Sequence, residues 1–153
     1  MKNRSLDNQR DILEIIEKCD VCYVSMVDKD NKPYLIPMNF GFSENTILLH
    51  CAKHGKKIDI LKKNPEVCIL FTTDHLMHWQ NEDVACSWSM KYRSVLTYGS
   101  VDFIDDINEK EAILHQFMKN YSARSFKFGK PSLEEVQVLK VDVIRFEGRA
   151  YGY

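Results

Sequence analysis

The sequence has no apolar run approaching the roughly 18–20 residues that cross a bilayer as a helix. Its polar start, Met1-Lys2-Asn3-Arg4-Ser5-Leu6, also lacks the apolar core of a signal peptide. Both absences point away from a membrane-embedded or exported chain. An excess of one charge is missing too: 21 basic against 22 acidic residues leave a formal net charge of −1. That balance gives no global attraction to nucleic acid or to an anionic membrane. An anionic ligand must therefore be held by local positive charge. Glycine is scarce, with 6 among 153 residues. No first turn is rich enough in it for a dinucleotide-binding α/β fold, and regular strand–helix alternation is absent as well. There is no internal repeat, low-complexity tract or Pro/Gly/Ser-rich linker, so nothing marks a place to divide the chain. Residues 1–153 read as a single domain of ordinary size.

Cysteine is present in a pattern that excludes a disulfide framework. The five are Cys19, Cys22, Cys51, Cys68 and Cys86, an odd count at irregular spacing. Cys22, Cys51 and Cys68 sit in apolar runs, where a free thiol behaves as a small hydrophobe. A reducing compartment suits them, and a cytoplasmic location is expected. Cys19-x-x-Cys22 has no second pair at zinc-finger spacing, and its thiols precede a strand, not a helix N-terminus. Asp74, His75, His78 and Cys86 could be gathered around zinc, but the two histidines lie three apart in an apparent loop. No metal is expected.

What remains is a soluble composition, 44% hydrophobic and 28% charged, with an ordered series of periodic segments. Ile12, Leu13, Ile15 and Ile16 give a helical apolar face from about Asp7 to Lys18, with Asp7 as its cap. Val21–Val27 and Pro33–Phe42 read as two strands joined by the polar turn Asp28–Lys32. Pro37 donates no ladder hydrogen bond and implies an edge or a bulge, where backbone groups are free for a ligand. Gly41–Asn45 reads as a turn, Thr46–Cys51 as a strand and Ala52–Lys63 as a helix stopped by Asn64-Pro65. Val67–Thr73, Val84–Trp88 and Arg93–Ile104 read as strands, with a polar loop over Asp74–Asp83. Asp106-Ile107-Asn108-Glu109 has the form of a capping box opening a helix to about Asn120. Ser132-Leu133-Glu134-Glu135 repeats that form for one turn before a last strand, Gln137–Phe146. The expected architecture is mainly antiparallel β, closed into a barrel that removes exposed edges, with peripheral helices.

Three segments carry candidate chemistry. From His50 to Lys57 a strand passes through a glycine-containing turn into a helix. Unpaired amides at a helix start carry partial positive charge and suit phosphate. Lys53, Lys56 and Lys57 add cations exactly where the helix dipole alone disfavours them, so a bound anion would account for them; a solvated lysine-rich turn is the other reading. Pro33–Phe40 is an apolar strand with one polar residue, Asn39, against which a flat aromatic ligand could lie; a plain core strand has the same pattern. Cys86–Val95 crowds Trp88, Tyr92, Arg93 and Ser94 into a strand–turn–strand, as in ligand walls and interface hot spots but also in ordinary hairpins.

The ordered series Pro33-Tyr34-x-x-Pro37-Met38-Asn39-Phe40, Ile47-x-x-His50-x-Ala52-x-x-Gly55-x-Lys57-x-x-x-Leu61-x-x-Asn64-Pro65 and Tyr92-x-Ser94-Val95-x-x-x-Gly99, ending in Phe146-Glu147-Gly148-Arg149, resembles the pyridoxamine 5′-phosphate oxidase-like flavin-binding split barrel. Within it the series is most similar to the nitroimidazole-resistance branch. The resemblance implies a six-stranded antiparallel split barrel and a homodimer with FMN at its interface. It implies that Met38, Asn39 and Phe40 lie along the flavin ring, and that His50, Cys51 and Ala52 border it, with His50 near the reactive face as the catalytic candidate. Gly55, Lys56 and Lys57 would grip the phosphate. Trp88, Tyr92, Arg93 and Ser94 would approach from the partner subunit. A distinct C-terminal segment that holds substrate phosphate in the family's pyridoxamine phosphate oxidases has no counterpart here. The expectation is an FMN-dependent oxidoreductase acting on nitroaromatic or similar small molecules. A flavin- or haem-binding store or sensor without turnover is the alternative.

Overall fold

The computed structural model describes residues 3–153; Met1 and Lys2 of the polar start lie outside it. Period-two patterning builds strands β1 Asn3–Leu6, β2 Cys22–Val27, β3 Pro33–Met38, β4 Gly41–Ser43, β5 Thr46–Ala52, β6 Glu66–His78, β7 Ser89–Ile104 and β8 Val136–Tyr151. All join one antiparallel sheet in the order β3-β2-β6-β7-β8-β5-β4, with β1 added on β8. Four helices, α1 Gln9–Glu17, α2 Lys56–Lys63, α3 Ile107–Met118 and α4 Lys130–Glu135, sit at its periphery. The fold is the expected mainly-β split barrel. β2, β3, β5, β6, β7 and β8 form its six longer strands, and the short β1 and β4 bring the sheet to eight.

Alternation in β2 turns Cys22, Val24 and Met26 into the main core. There they meet Ile15 and Ile16 of α1. Phe40 and Phe71 cross edge to face, with ring centroids 4.8 Å apart. A second, smaller cluster of Ile104, Leu114, Leu133 and Val138 ties α3 and α4 to β7 and β8. Pro37 lies on β3, the terminal strand of the sheet order, opposite Tyr23 of β2. An edge position leaves its missing N–H without consequence, as the sequence suggested.

Several boundaries differ from the sequence reading, each for a local reason. Asn8, not Asp7, caps α1: its side-chain oxygen accepts from the Arg10 amide at 2.9 Å. Gly41–Asn45 is not all turn. Glu44 and Asn45 alone, at φ 50° and 64°, form the left-handed pair of a tight hairpin, and residues 41–43 are already strand. Helix α2 starts at Lys56 instead of Ala52, because β5 keeps Ala52 paired with Val136. β6 runs past Thr73 through a bulge at Asp74, whose φ is 56°, so the expected polar loop is half strand. Val84–Trp88 is not a strand. It holds a single tight helical turn at Ala85–Ser87, closed by the Ser87 amide on the Val84 carbonyl at 2.9 Å. Asp106 does cap α3, accepting from the Glu109 amide at 2.9 Å. Ser132 does not cap α4, which starts from Gly129 with Pro131 in its first turn. β8 continues to Tyr151 because β1 and β7 both pair with its second half.

One hydroxyl fastens distant parts together. Tyr121, just beyond α3, donates to the Asp20 carbonyl at 2.9 Å and accepts from the Phe40 amide at 2.8 Å. It thus fixes the link after Met38 and Asn39 to the start of β2. Tyr121→Phe keeps the ring and strands a half-buried amide, so a loss of about 1–3 kcal/mol in unfolding free energy is expected. Urea unfolding of the two proteins checks this; equal midpoints would show that the bridge contributes nothing.

Candidate functional site

The strands and α2 place six of the sequence-predicted residues around one cleft of about 640 Å³: Met38, Asn39, His50, Cys51, Ala52 and Lys57. Pro37 completes the β3 wall, and Ser132, Glu135 and Val136 close the opposite side from the α4–β8 junction. Val136 is there because it pairs directly with Ala52. A volume of this order suits a cofactor or small ligand.

The cationic end is built by α2. Gly55 precedes it at φ 119° and ψ 171°, a backbone state closed to other residues, although a β-carbon there would meet no atom within 4 Å. Conformation, not crowding, therefore asks for glycine. No side chain caps the first amides of α2, which leaves them free for an anion. The Lys57 ammonium lies 3.9 Å from the Met38 thioether and so leans across the cleft toward β3. Lys56 turns outward onto the Tyr34 ring, 4.5 Å from its centroid, and is not among the cleft-lining residues.

His50 is half-buried, its ring edge-on to Phe117 of α3 with centroids 4.7 Å apart. Burial, helped by the nearby Lys57 charge, pushes its pKa below the ordinary 6.5. The imidazole is therefore neutral at neutral pH, and the standing cation of the cleft is Lys57. Cys51, the next residue on β5, lines the cleft and also packs against the main core. Burial raises its thiol pKa, so it is a poor nucleophile.

Phe40 is not at the cleft surface. It is fully buried against Phe71, and it fixes the strand end from beneath. Trp88, Tyr92, Arg93 and Ser94 do not line this cleft within the same chain. They lie at the start of β7, near the β6 bulge. Trp88 stacks on Trp79 at 4.4 Å and Tyr92 on Tyr151 at 5.8 Å. Arg93 binds the Asp74 carboxylate and covers the Tyr153 ring at 3.9 Å, and its guanidinium holds the Asp74 carboxyl below the usual range. Leu76, Met77, Trp79, Trp88 and Met90 leave an exposed apolar face on this arm. Among the described residues no group of three or more His, Cys, Asp or Glu is placed to hold a metal, and His75 bonds the Thr72 hydroxyl at 2.8 Å. No helix among them is long and apolar enough to cross a membrane.

Ser132, Glu135 and Val136 were not foreseen as site residues. Their sequence signal is that of a helix start, which says nothing about what the helix faces. Their position comes from the long-range pairing of β5 with β8.

Comparison with known proteins agrees with this fold. The family model described as pyridoxamine 5′-phosphate oxidase matches residues 8–150. The chain is 35% identical to a candidate 5-nitroimidazole antibiotic resistance protein from Bacteroides thetaiotaomicron, with a TM-score of 0.88 over 97% of this chain and 87% of that one. The flavocytochrome Anf3 from Azotobacter vinelandii shares the fold at 16% identity and a TM-score of 0.82, covering 97% of this chain and 70% of that one. A FAD and haem binding protein from Mycobacterium smegmatis does so at 15% identity and a TM-score of 0.80, covering 97% and 74%. No curated protein matches the sequence.

Proposed function

The chain belongs to the pyridoxamine 5′-phosphate oxidase family, and from that premise we propose that its cleft binds FMN at the interface of a homodimer and serves reduction of a small nitroaromatic or similar acceptor. The observation that carries this reading is the meeting of three features in one cleft. Lys57 and the uncapped amides of α2 offer a phosphate site, the Met38–Asn39 strand end offers an edge for a flat ring, and His50 stands beside both. A phosphate monoester suits the first feature because amides and ammonium together neutralise its charge. The flavin, when bound, supplies the redox chemistry.

The chain's own residues supply position and electrostatics. Lys57 provides the permanent positive charge near the ring. His50, neutral at working pH, can donate or accept one hydrogen bond at a substrate atom and move a proton there. In a homodimer the exposed Trp88 arm would cover the partner's cleft, which accounts for its apolar face. Within the described residues of one chain, Trp88 and Tyr92 have stacking partners, Arg93 has an ion-pair partner and Ser94 is paired in the sheet with Thr72 and Arg149, which would hold that arm in shape.

The test is a spectrum followed by turnover. Purified protein given FMN should retain flavin bands through gel filtration at the mass of a dimer; a Soret band would indicate haem, and a colourless protein would overturn the reading. With NAD(P)H as donor, the loaded protein should reduce a nitroaromatic acceptor. His50→Ala should keep FMN and lose roughly 10²-fold in turnover, the usual scale for a proton-transfer group. Wild-type turnover in that variant would remove His50 from the chemistry.

A further inference from the structure

The cleft contains a second charge that FMN binding does not explain. Glu135 lines the wall opposite the cationic α2 end. Among the described residues it has no hydrogen-bond or ion-pair partner, whereas its neighbour Glu134 pairs with Lys130 at 3.8 Å outside the cleft. Its position is fixed from below. Lys110 of α3, only 2% exposed, donates to the Val136 carbonyl at 2.9 Å and to the Leu133 carbonyl at 3.4 Å. These carbonyls bracket residues 134 and 135, so the buried ammonium acts as a cation at the end of α4 and clamps the wall to α3. Leu133 and Val138 anchor the same junction in the smaller core cluster. Ser132 adds a hydroxyl beside the carboxylate.

We propose that Glu135, held in place by Lys110, makes the cleft selective for acceptors that carry an amine or other cationic group. This rests on the reading of the cleft as a flavin site: the flavin phosphate would occupy the α2 end, leaving Glu135 to face the substrate. Glu135 is exposed along the cleft wall, and an unpaired carboxylate there attracts a cation and repels an anion with the modest strength of a surface charge pair. The same charge disfavours a second phosphate, so phosphorylated substrates are selected against.

The experiment compares three probes of similar shape on FMN-loaded protein: para-nitrobenzylamine, para-nitrobenzyl alcohol and para-nitrobenzoate. Dissociation constants are read from the change in bound-flavin absorption, without turnover. Wild type should bind the amine best and the carboxylate worst. Glu135→Gln should weaken the amine roughly fivefold and tighten the carboxylate by a similar factor, with the alcohol unchanged. Glu134→Gln makes the same change of net charge one residue away and should leave all three values as in wild type. Equal binding of the three probes by wild type, or equal effects of the two variants, would overturn the assignment while the flavin reading stands. Failure of every variant and of wild type to take up FMN would overturn both.

Discussion

Gly99→Ala is expected to lower the unfolding free energy by about 3 kcal/mol, the upper part of the range for inserting a methyl into packed structure. Gly99 lies where β7 and β8 change register. Tyr98 pairs with Arg145 and Gly99 with Val143, leaving Ile144 unmatched and 81% exposed. A β-carbon on Gly99 would stand 2.5 Å from the Asp142 carbonyl oxygen and 2.8 Å from a Val141 methyl. The first of these is backbone and cannot rotate away, so the two strands must part. They are the longest pair in the sheet, and the His50–Ala52 and Ser132–Val136 sides of the cleft hang on β8 through β5 and α4. For a chain of this size the loss corresponds to a fall in Tm of roughly 6–12 °C. Gly129→Ala is the control, since its nearest neighbour is the Pro131 side chain at 3.8 Å. If thermal melts of Gly99→Ala and wild type coincide, the tight approach at the bulge is not a constraint on the fold.

The same bulge shows why the sequence was only partly legible. Local signals found the elements whose cause is local. Asp106 placed the start of α3, Asn64-Pro65 placed the end of α2, and the run of β-formers from Val21 to Val27 gave β2. Elements whose cause is distant were misread. β1 is four residues of unremarkable composition that become strand because β8 offers an unpaired edge. Asp74 and His75 look like loop, yet β6 passes through them because β7 pairs on both sides of the bulge. Val84–Trp88 has strand composition but turns tightly, with Ser87 bonded to the backbone of Asn81.

The site follows the same division. The run from His50 to Lys57 and the strand end at Met38–Asn39 were readable because each carries its own chemistry, an unusual lysine placement and a proline at an edge. That they share one cleft depends on the Lys57–Met38 contact and the β4–β5 hairpin, which only the fold supplies. Phe40, adjacent to Asn39, alternates into the core, so sequence adjacency overstated its access. Glu135 was invisible as a site residue because nothing local distinguishes it from Glu134. The difference is that Glu135, one residue before the Val136 that pairs with Ala52, lines the cleft and Glu134 does not.

Lys57→Glu separates the purpose of the cationic helix start from its effect on stability. Lys57 is in the first turn of α2, where the partial positive charge of the unpaired amides makes a cation unfavourable by about 0.3–1 kcal/mol. Glutamate is favoured at that position, so the ligand-free variant should match or slightly exceed wild type in thermal stability. Flavin binding should respond in the opposite direction. The substitution removes a charge-assisted bond to phosphate, a contribution of about 1.5–3 kcal/mol, and adds repulsion. Together these predict a rise in the dissociation constant for FMN of roughly two to three orders of magnitude. Lys56→Glu is the comparison: Lys56 rests on Tyr34 outside the cleft lining, and its reversal should weaken FMN much less. Fluorescence titration of FMN and thermal melts of the free proteins measure both quantities. A variant that loses stability and flavin affinity in parallel would mean that Lys57 serves the fold. Unchanged affinity would mean that the phosphate is held elsewhere. A stable helix with no grip on FMN is the combination that identifies a residue kept for its ligand at the expense of its own helix.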